Sequence, residues 1–415
     1  MKDVVRFKLA SVLVFVSLLP YLLLIRSFGF EYSVIANVLG LVGSTLLVWQ
    51  FVLGNRFVST RLTPDYVSLT KLHIVLGTYG VLFVFAHPIL QVITYGTSIL
   101  FEQRVLFGRL ALFLLTVTWV TSALFRKRMS YRLWLYLHYL NYFVLMIVFL
   151  HARSIGTFIN TVPYIYYYWH AIFLVFWILL GYRVLKYLNF GKARYALVRK
   201  KSLSADITQY TFTPKSKKLT PRPGQFAFVR PSFFGESHPF TIMKFNARSG
   251  DLTFSIKAVG RFTNQLENLE RGHTVYIDGP YGVFTEEGQN NGLKVVIAGG
   301  IGVTPFVELI DRFGHENTFM FYANSFLVDA VNRDDFKREL KENYVDVVSQ
   351  EKTVQEPVVL GRMSKEILSK YLSKNFLPRA KFFVCGSPGF MASVIGMLDE
   401  LGVSSNRIYT EEFSL

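Results

Sequence analysis

Six stretches in the first half of the chain are apolar for about the length that a lipid bilayer demands. No other feature restricts the fold so severely. They lie at about 9–25, 34–53, 67–95, 108–125, 132–152 and 168–187, close to the ~20 residues an α-helix needs to cross the hydrocarbon core. In lipid every backbone N–H and C=O must find its partner within the segment, so these stretches are expected as membrane-spanning helices. The first follows Lys2, Arg6 and Lys8, as a signal peptide would, but only Ser27-Phe28-Gly29 resembles a cleavage site. It is read as a retained span.

Charge gives the spans a direction. The 415 residues carry a formal net charge of +17, which in a soluble protein would point to nucleic acid. The placement argues against that: residues 1–190 hold 16 Lys and Arg against 4 Asp and Glu. Lys2, Arg6 and Lys8, then Arg56, Arg61 and Lys71, then Arg126, Lys127, Arg128 and Arg132 crowd alternate connections. The intervening ones carry only Arg26, then Arg104 and Arg109, then Arg153. By the positive-inside rule both termini and the whole second half are expected in the cytoplasm of a multi-pass protein of the cell membrane. The expected partner of the basic residues is the lipid bilayer, not nucleic acid. A 16% aromatic content excludes disorder, and one cysteine, Cys385, cannot form an internal disulfide.

Five of the eight histidines lie in this half, where ionisable groups are costly. His73 and His87 share the third span, 14 residues apart; His138 and His151 share the fifth, 13 apart. At 1.5 Å per residue both separations are about 20 Å. The two spans run in the same direction, so His73 is level with His138 near the inner face and His87 with His151 near the outer face. Paired imidazoles at one depth are what a six-coordinate b-type haem requires, and two pairs would hold two haems stacked across the bilayer. Gly77 and Gly80 are candidates for leaving room at porphyrin edges. Fourteen residues return to nearly one helical face but thirteen do not, so the fifth span is expected to be tilted or irregular. His170, beside Tyr166, Tyr167, Tyr168 and Trp169, reads as part of an interfacial aromatic belt. Arg153 is either a partner for an anionic group or a solvated loop residue.

Beyond the basic tract 191–201 the composition becomes that of a soluble protein. Short alternating strands over 191–290 predict a β-barrel domain. From 291 to 415, strand runs alternate with helices, as in an α/β nucleotide-binding domain. Gly299, Gly300 and Gly302 follow the strand Lys294–Ala298 and open a helix, where bare backbone can approach a pyrophosphate. Gly386, Pro388 and Gly389 follow the strand 382–385 at the carboxyl edge of the sheet, where such folds bind ligands.

Read in order, these segments carry a resemblance. Arg222-Pro223-Gly224-Gln225-Phe226, His238-Pro239-Phe240-Thr241 and Gly260-Arg261-Phe262-Thr263 come first. Asp278-Gly279-Pro280-Tyr281-Gly282, Ala298-Gly299-Gly300-Ile301-Gly302-Val303-Thr304-Pro305, Cys385-Gly386-Ser387-Pro388-Gly389-Phe390 and Phe413 complete the set. With the histidine spacing, the chain resembles the NADPH oxidase and ferric reductase superfamily, and in its compactness a prokaryotic NADPH oxidase. The resemblance implies a six-helix bis-haem domain at 1–190, a ferredoxin-reductase-like FAD domain at 191–290 and an NAD(P)H domain at 291–415. It implies that His238, Pro239, Phe240 and Thr241 hold FAD and that Thr263 contacts its pyrophosphate. Gly299, Gly300, Gly302 and Thr304 would bind the dinucleotide, Cys385 and Gly386 would lie beside the nicotinamide, and Phe413 would stack on the flavin. Ser325 follows Tyr322-Ala323-Asn324, where family members selective for NADPH tend to carry arginine. Arg333 or Lys337 would have to hold a 2′-phosphate, and both NADH and NADPH are expected to serve. The implied activity is electron transfer through FAD and two b-type haems to extracellular O₂, giving superoxide, with no obligatory regulatory subunit. The alternatives are a ferric-chelate reductase, a donor to an extracytoplasmic partner, or a haem-free transporter or sensor.

Overall fold

The computed structural model describes residues 2–55, 66–126, 128–314, 317–352, 358–372 and 377–411. The chain divides into two compact units, Met1–Leu185 and Lys186–Leu415.

The first unit is helical: α1 (Lys2–Phe28), α2 (Tyr32–Leu53), α3 (Tyr66–Tyr95), α4 (Leu106–Ala123), α5 (Tyr131–Tyr139), α6 (Asn141–Ile155) and α7 (Pro163–Tyr187). Six segments among the described residues are long and apolar enough to cross a membrane, Arg132–Ile155 counting as one across α5 and α6. Large apolar side chains such as Phe15, Ile74, Phe113 and Ile178 point outward. A bundle apolar on its outside is built for lipid, where burial no longer drives helices together and close packing and hydrogen bonds must do so. Both are present. Tyr21 and Thr45 share a buried hydrogen bond of 2.8 Å, and Trp49 Nε1 donates to Ser17 Oγ at 3.1 Å. A Cβ on Gly43 would stand 2.9 Å from the Gly80 carbonyl, and one on Gly80 3.2 Å from Leu46 Cβ. Gly80 therefore serves the α2–α3 crossing, and Gly77 faces Gln50 of α2. The room expected there for porphyrin edges is taken by a helix.

The fifth span is broken between its two histidines, as their spacing requires. α5 ends at Tyr139, Leu140 donates its N–H to the Leu137 carbonyl at 3.0 Å, and α6 begins at Asn141.

The second unit starts with a seven-stranded antiparallel sheet of β1 (Ala193–Ser202), β2 (Ile207–Pro214), β3 (Phe226–Arg230), β4 (His238–Thr241), β5 (Lys244–Phe245), β6 (Leu252–Lys257) and β7 (Thr274–Tyr281). Their order is β4-β3-β7-β1-β2-β6-β5. Tyr195, Phe212, Ala227, Phe254 and Ile277 from five of these strands meet in one buried core. Helix α8 (Arg261–Leu266) contributes Phe262 and Leu266 to it.

Next come β8 (Lys294–Gly299), α9 (Val307–Phe313), β9 (Thr318–Asn324), α10 (Arg333–Leu340), β10 (Tyr344–Val348), β11 (Val359–Leu360), α11 (Lys365–Tyr371), β12 (Lys381–Cys385), α12 (Pro388–Glu400) and β13 (Ile408–Thr410). The strands form a parallel sheet in the order β11-β10-β9-β8-β12-β13. Buried on both faces, β8 reads as an unbroken apolar run after Lys294, as parallel strands do. The chain leaves β8 in one direction and returns to β12 on its other side. The switch point, where open α/β sheets bind ligands, lies between their carboxyl ends.

Candidate cofactor sites

The two inner histidines meet. The His73 and His138 rings lie 6.1 Å apart between centroids at an interplanar angle of 52°. A metal between two imidazoles, with metal–nitrogen bonds of about 2 Å on each side, holds ring centroids about 6 Å apart. By this spacing the two imidazoles would be able to hold one iron between them. Trp134, one turn before His138, stacks on it at 5.1 Å and 25°. The Trp134 indole donates to Ser122 Oγ at 3.1 Å, and the same oxygen lies 3.4 Å from His138 Nδ1. With Nδ1–H directed at that hydroxyl, Nε2 keeps its lone pair for a metal. His73 Nδ1 is buried with no hydrogen bond that meets normal geometry.

The outer pair is held by different means. His87 Nδ1 donates to the Ala36 carbonyl at 2.7 Å, which again leaves Nε2 bare. A Cβ on Gly40 of α2 would stand 3.0 Å from His87 Nδ1. One on Gly108 of α4 would stand 2.7 Å from His151 Cε1 and 2.9 Å from its Nε2. His151 Nδ1 is buried with no partner. Gly40, Gly108, Ser122 and Trp134 have no sequence signal of their own, since glycine, serine and tryptophan are ordinary in membrane helices. Only the paired histidines mark the tiers. Among the described residues no three His, Cys, Asp or Glu cluster as a closed metal site would require. Two opposed imidazoles need no such cluster.

The remaining membrane candidates have protein partners. His170 Nδ1 donates to the Tyr166 carbonyl at 2.8 Å, with the rings 4.1 Å apart. Arg153 bonds to Asn160 and lies over the Tyr166 ring.

In the second unit His238, Pro239, Phe240 and Thr241 form β4, paired with β3 from Phe226↔Thr241 to Val229↔His238. The His238 ring stacks on Phe262 at 3.9 Å, and Phe240 lies over the same phenyl at 6.1 Å. Burial pulls the His238 pKa below its ordinary value, against the opposing pull of Glu236. The strand thus presents a half-buried ring shelf at neutral pH. Thr263 Oγ1 accepts from the backbone N–H of Val259 and Gly260, each at 3.0 Å, so this hydroxyl fixes the entry to α8.

At the switch point Gly299 and Gly302 on one side meet Cys385 and Gly386 on the other. A Cβ on Gly302 would stand 2.7 Å from the Cys385 carbonyl and from the Gly386 N–H. One on Gly299 would strike the Phe390 ring at 2.8 Å. Gly300 takes φ +53°, a conformation that glycine adopts without strain. The loop Gly300–Phe306 makes one tight 3₁₀ passage into α9, with the buried Thr304 hydroxyl donating to the Ile301 carbonyl at 3.1 Å. Cys385 is fully buried; burial and nearby Glu411 push its thiol pKa up. Its place at the switch point is expressed through backbone, not through an open thiol. Phe413 lies outside the described residues.

Arg333 and Lys337 are committed elsewhere. Arg333 Nε donates to the buried Asp346 at 2.8 Å, Lys337 Nζ lies 3.9 Å from the same oxygen, and the Tyr344 hydroxyl donates to its other oxygen. Both lie against this buried carboxylate in the structure.

Residues 39–150 match the family described as ferric reductase like transmembrane component, 194–285 the oxidoreductase FAD-binding domain and 296–395 the oxidoreductase NAD-binding domain. Ferric reduction oxidase 2 of Arabidopsis thaliana is 28% identical over 295 residues, 66% of this chain and 38% of that protein. A flavohemoprotein of Bordetella pertussis is 24% identical over 253 residues, 54% of this chain and 61% of that protein. Human dual oxidase 2 is 26% identical over 214 residues, 49% of this chain and 13% of that one. The matches thus span less than two thirds of these relatives' lengths. A flavohemoglobin from Malassezia yamatoensis with bound FAD and heme is similar in fold, with a TM-score of 0.50 at 20% identity over 93% of this chain and 99% of that one.

Proposed function

The chain belongs to the NADPH oxidase and ferric reductase superfamily, joining a ferric reductase-like transmembrane component to FAD- and NAD-binding domains, and we propose that it reduces extracellular O₂ to superoxide with electrons from cytoplasmic NAD(P)H. His73 and His138 would hold one b-type haem and His87 and His151 a second, with FAD held by the FAD-binding domain. Each NAD(P)H would reduce two O₂, releasing NAD(P)⁺ and one proton.

The single observation that carries this reading is the pair His73–His138, with ring centroids 6.1 Å apart and no cluster of three His, Cys, Asp or Glu among the described residues. FAD supplies the exchange between hydride and one-electron chemistry, and haem iron the single-electron relay. The chain's own residues do the rest. Ser122 and the Ala36 carbonyl take the Nδ1 protons of two ligands. The glycines at the ends of β8 and β12 let backbone approach a pyrophosphate, and the β4–Phe262 shelf offers aromatic faces to a flavin. No general acid or base is needed to reduce O₂ by one electron. The asymmetry of basic residues supports cytoplasmic termini. With Ser325 after Asn324 and Arg333 and Lys337 paired to Asp346, both NADH and NADPH would serve.

The match to ferric reduction oxidase 2 favours a second reading, reduction of an extracellular ferric chelate by the same route. Purified protein loaded with FAD and haem and given NADH or NADPH separates the two. Dismutase-sensitive reduction of cytochrome c supports superoxide, and dismutase-insensitive reduction of a ferric chelate supports the alternative. Absence of a reduced b-type absorption band sinks both.

A further inference from the structure

The end of α7 carries an aromatic surface that no cofactor site uses. α7 has 25 residues, about 37 Å at 1.5 Å each, against a hydrocarbon core of ~30 Å. Its last residue, Tyr187, therefore stands at the depth of the headgroups. The loop after β3 is fastened there. Arg230 donates to the Tyr187 carbonyl at 2.9 Å and to Asn189 Oδ1 at 3.0 Å, and Asn189 Nδ2 donates to the Phe233 carbonyl at 2.8 Å. Lys186 pairs with Asp278 of β7 at 3.4 Å.

The side chains of this fastened loop face outward. Phe233 and Phe234 touch at 4.7 Å, and Phe234 meets the Tyr187 ring at 6.0 Å. Phe234 is 65% exposed and Phe190, three residues past α7, 64%. Water-facing surfaces rarely carry such a cluster, whereas aromatic rings are favoured at the membrane–water boundary. We propose that the 231–235 loop, through Phe233 and Phe234, lies in the lipid headgroup layer and anchors the FAD-binding domain to the bilayer surface. A lipid occupant is favoured because the patch is continuous with the end of a membrane-spanning helix. Lys192 and Arg194, which follow immediately, suit an anionic leaflet. The anchor would restrain the flavin-binding sheet without adding contacts to its core.

Cysteine reporters in the full chain, reconstituted in proteoliposomes, test this. Cys385 is fully buried, so an environment-sensitive thiol label should report introduced sites above a low wild-type background. Phe234→Cys and Ser232→Cys are the reporters, and Val259→Cys, at a position 77% exposed in the same domain, is the control. Lipids brominated near the headgroup should quench the two loop labels severalfold more than the control, and aqueous iodide severalfold less. Equal iodide quenching at all three sites would overturn the proposal. So would loop labels shielded from both quenchers, which would mean that protein, not lipid, covers the loop. Ser232→Cys keeps the test open if the Phe234 substitution disturbs folding.

Discussion

Adding one methyl group at Gly108 should empty one haem site and spare the other. The Gly108→Ala Cβ would stand 2.7, 2.9 and 3.0 Å from three atoms of the His151 ring, closer than side-chain carbons approach in packed structures. The ring cannot easily yield, because Val148 and Phe149, in the turn before it, are locked in the bundle core. Overpacking of this kind costs about 1–3 kcal/mol, which weakens haem retention at the outer tier by about 5- to 150-fold. The inner pair lies about 20 Å along the helices and owes nothing to Gly108. Haem per chain from the pyridine haemochrome should therefore fall from two toward one, and one component of the redox titration should disappear. Gly40→Ala should act in the same direction but more weakly, since its Cβ would meet His87 at 3.0–3.3 Å, a contact relieved by a shift of a few tenths of an ångström. Two haems with unchanged potentials in Gly108→Ala would refute the reasoning. Equal loss of both haems would show that the methyl group disrupts the bundle rather than one ligand.

Three further outcomes follow from the second unit. Gly302→Ala places a Cβ 2.7 Å from the Cys385 carbonyl, so KM for NADH and NADPH should rise about 5- to 150-fold with haem content unchanged; an unaltered KM removes this loop from dinucleotide binding. Arg333→Gln should leave the NADPH/NADH ratio of kcat/KM unchanged while lowering the melting temperature, because it strips a partner from buried Asp346; a selective loss of NADPH use would restore the 2′-phosphate role. Lys294 is buried and donates to the Asn290 and Phe313 carbonyls, and burial pulls its pKa down to about 8 from 10.5. Between those values the unfolded chain binds the extra proton, so stability rises with pH across that window; the melting temperature of wild type relative to Lys294→Met should climb from pH 8 to 10.5, and parallel pH curves would contradict the assignment.

The membrane half was legible because its constraints are one-dimensional. Span length is set by bilayer thickness, direction by loop charge, and histidine depth by rise per residue, so the sequence alone pairs the inner histidines. What lay beyond sequence was lateral. Gly77 and Gly80 look like room for a cofactor along α3, and only the packing of α2 shows that they serve a helix crossing. Gly40 and Gly108, on two other helices, lie against His87 and His151 instead. The same limit holds in the parallel sheet. Gly299, Gly302 and Gly386 were readable as a ligand-binding edge, because strand ends and glycines are local signals. The pairing of Arg333 and Lys337 with Asp346 has no local signal, because that carboxylate comes from a different element.

The break in the fifth span shows how a local irregularity can be required by a distant geometry. Thirteen residues of regular helix would turn His151 about 140° away from the face that carries His138. The tightened turn from Leu137 to Leu140 advances each residue about 20° further and recovers part of that deficit. The rest must come from the bend between α5 and α6. Breaking a helix in lipid leaves carbonyls that no water can reach. Here the His138 carbonyl accepts from Asn141 Nδ2 at 2.9 Å, and Asn141 Oδ1 in turn accepts from Thr118 Oγ1 at 3.0 Å. The break is therefore satisfied from a neighbouring helix, α4, which also supplies Gly108 against His151 and Ser122 against His138. One helix thus closes the break and packs against both histidines of the fifth span.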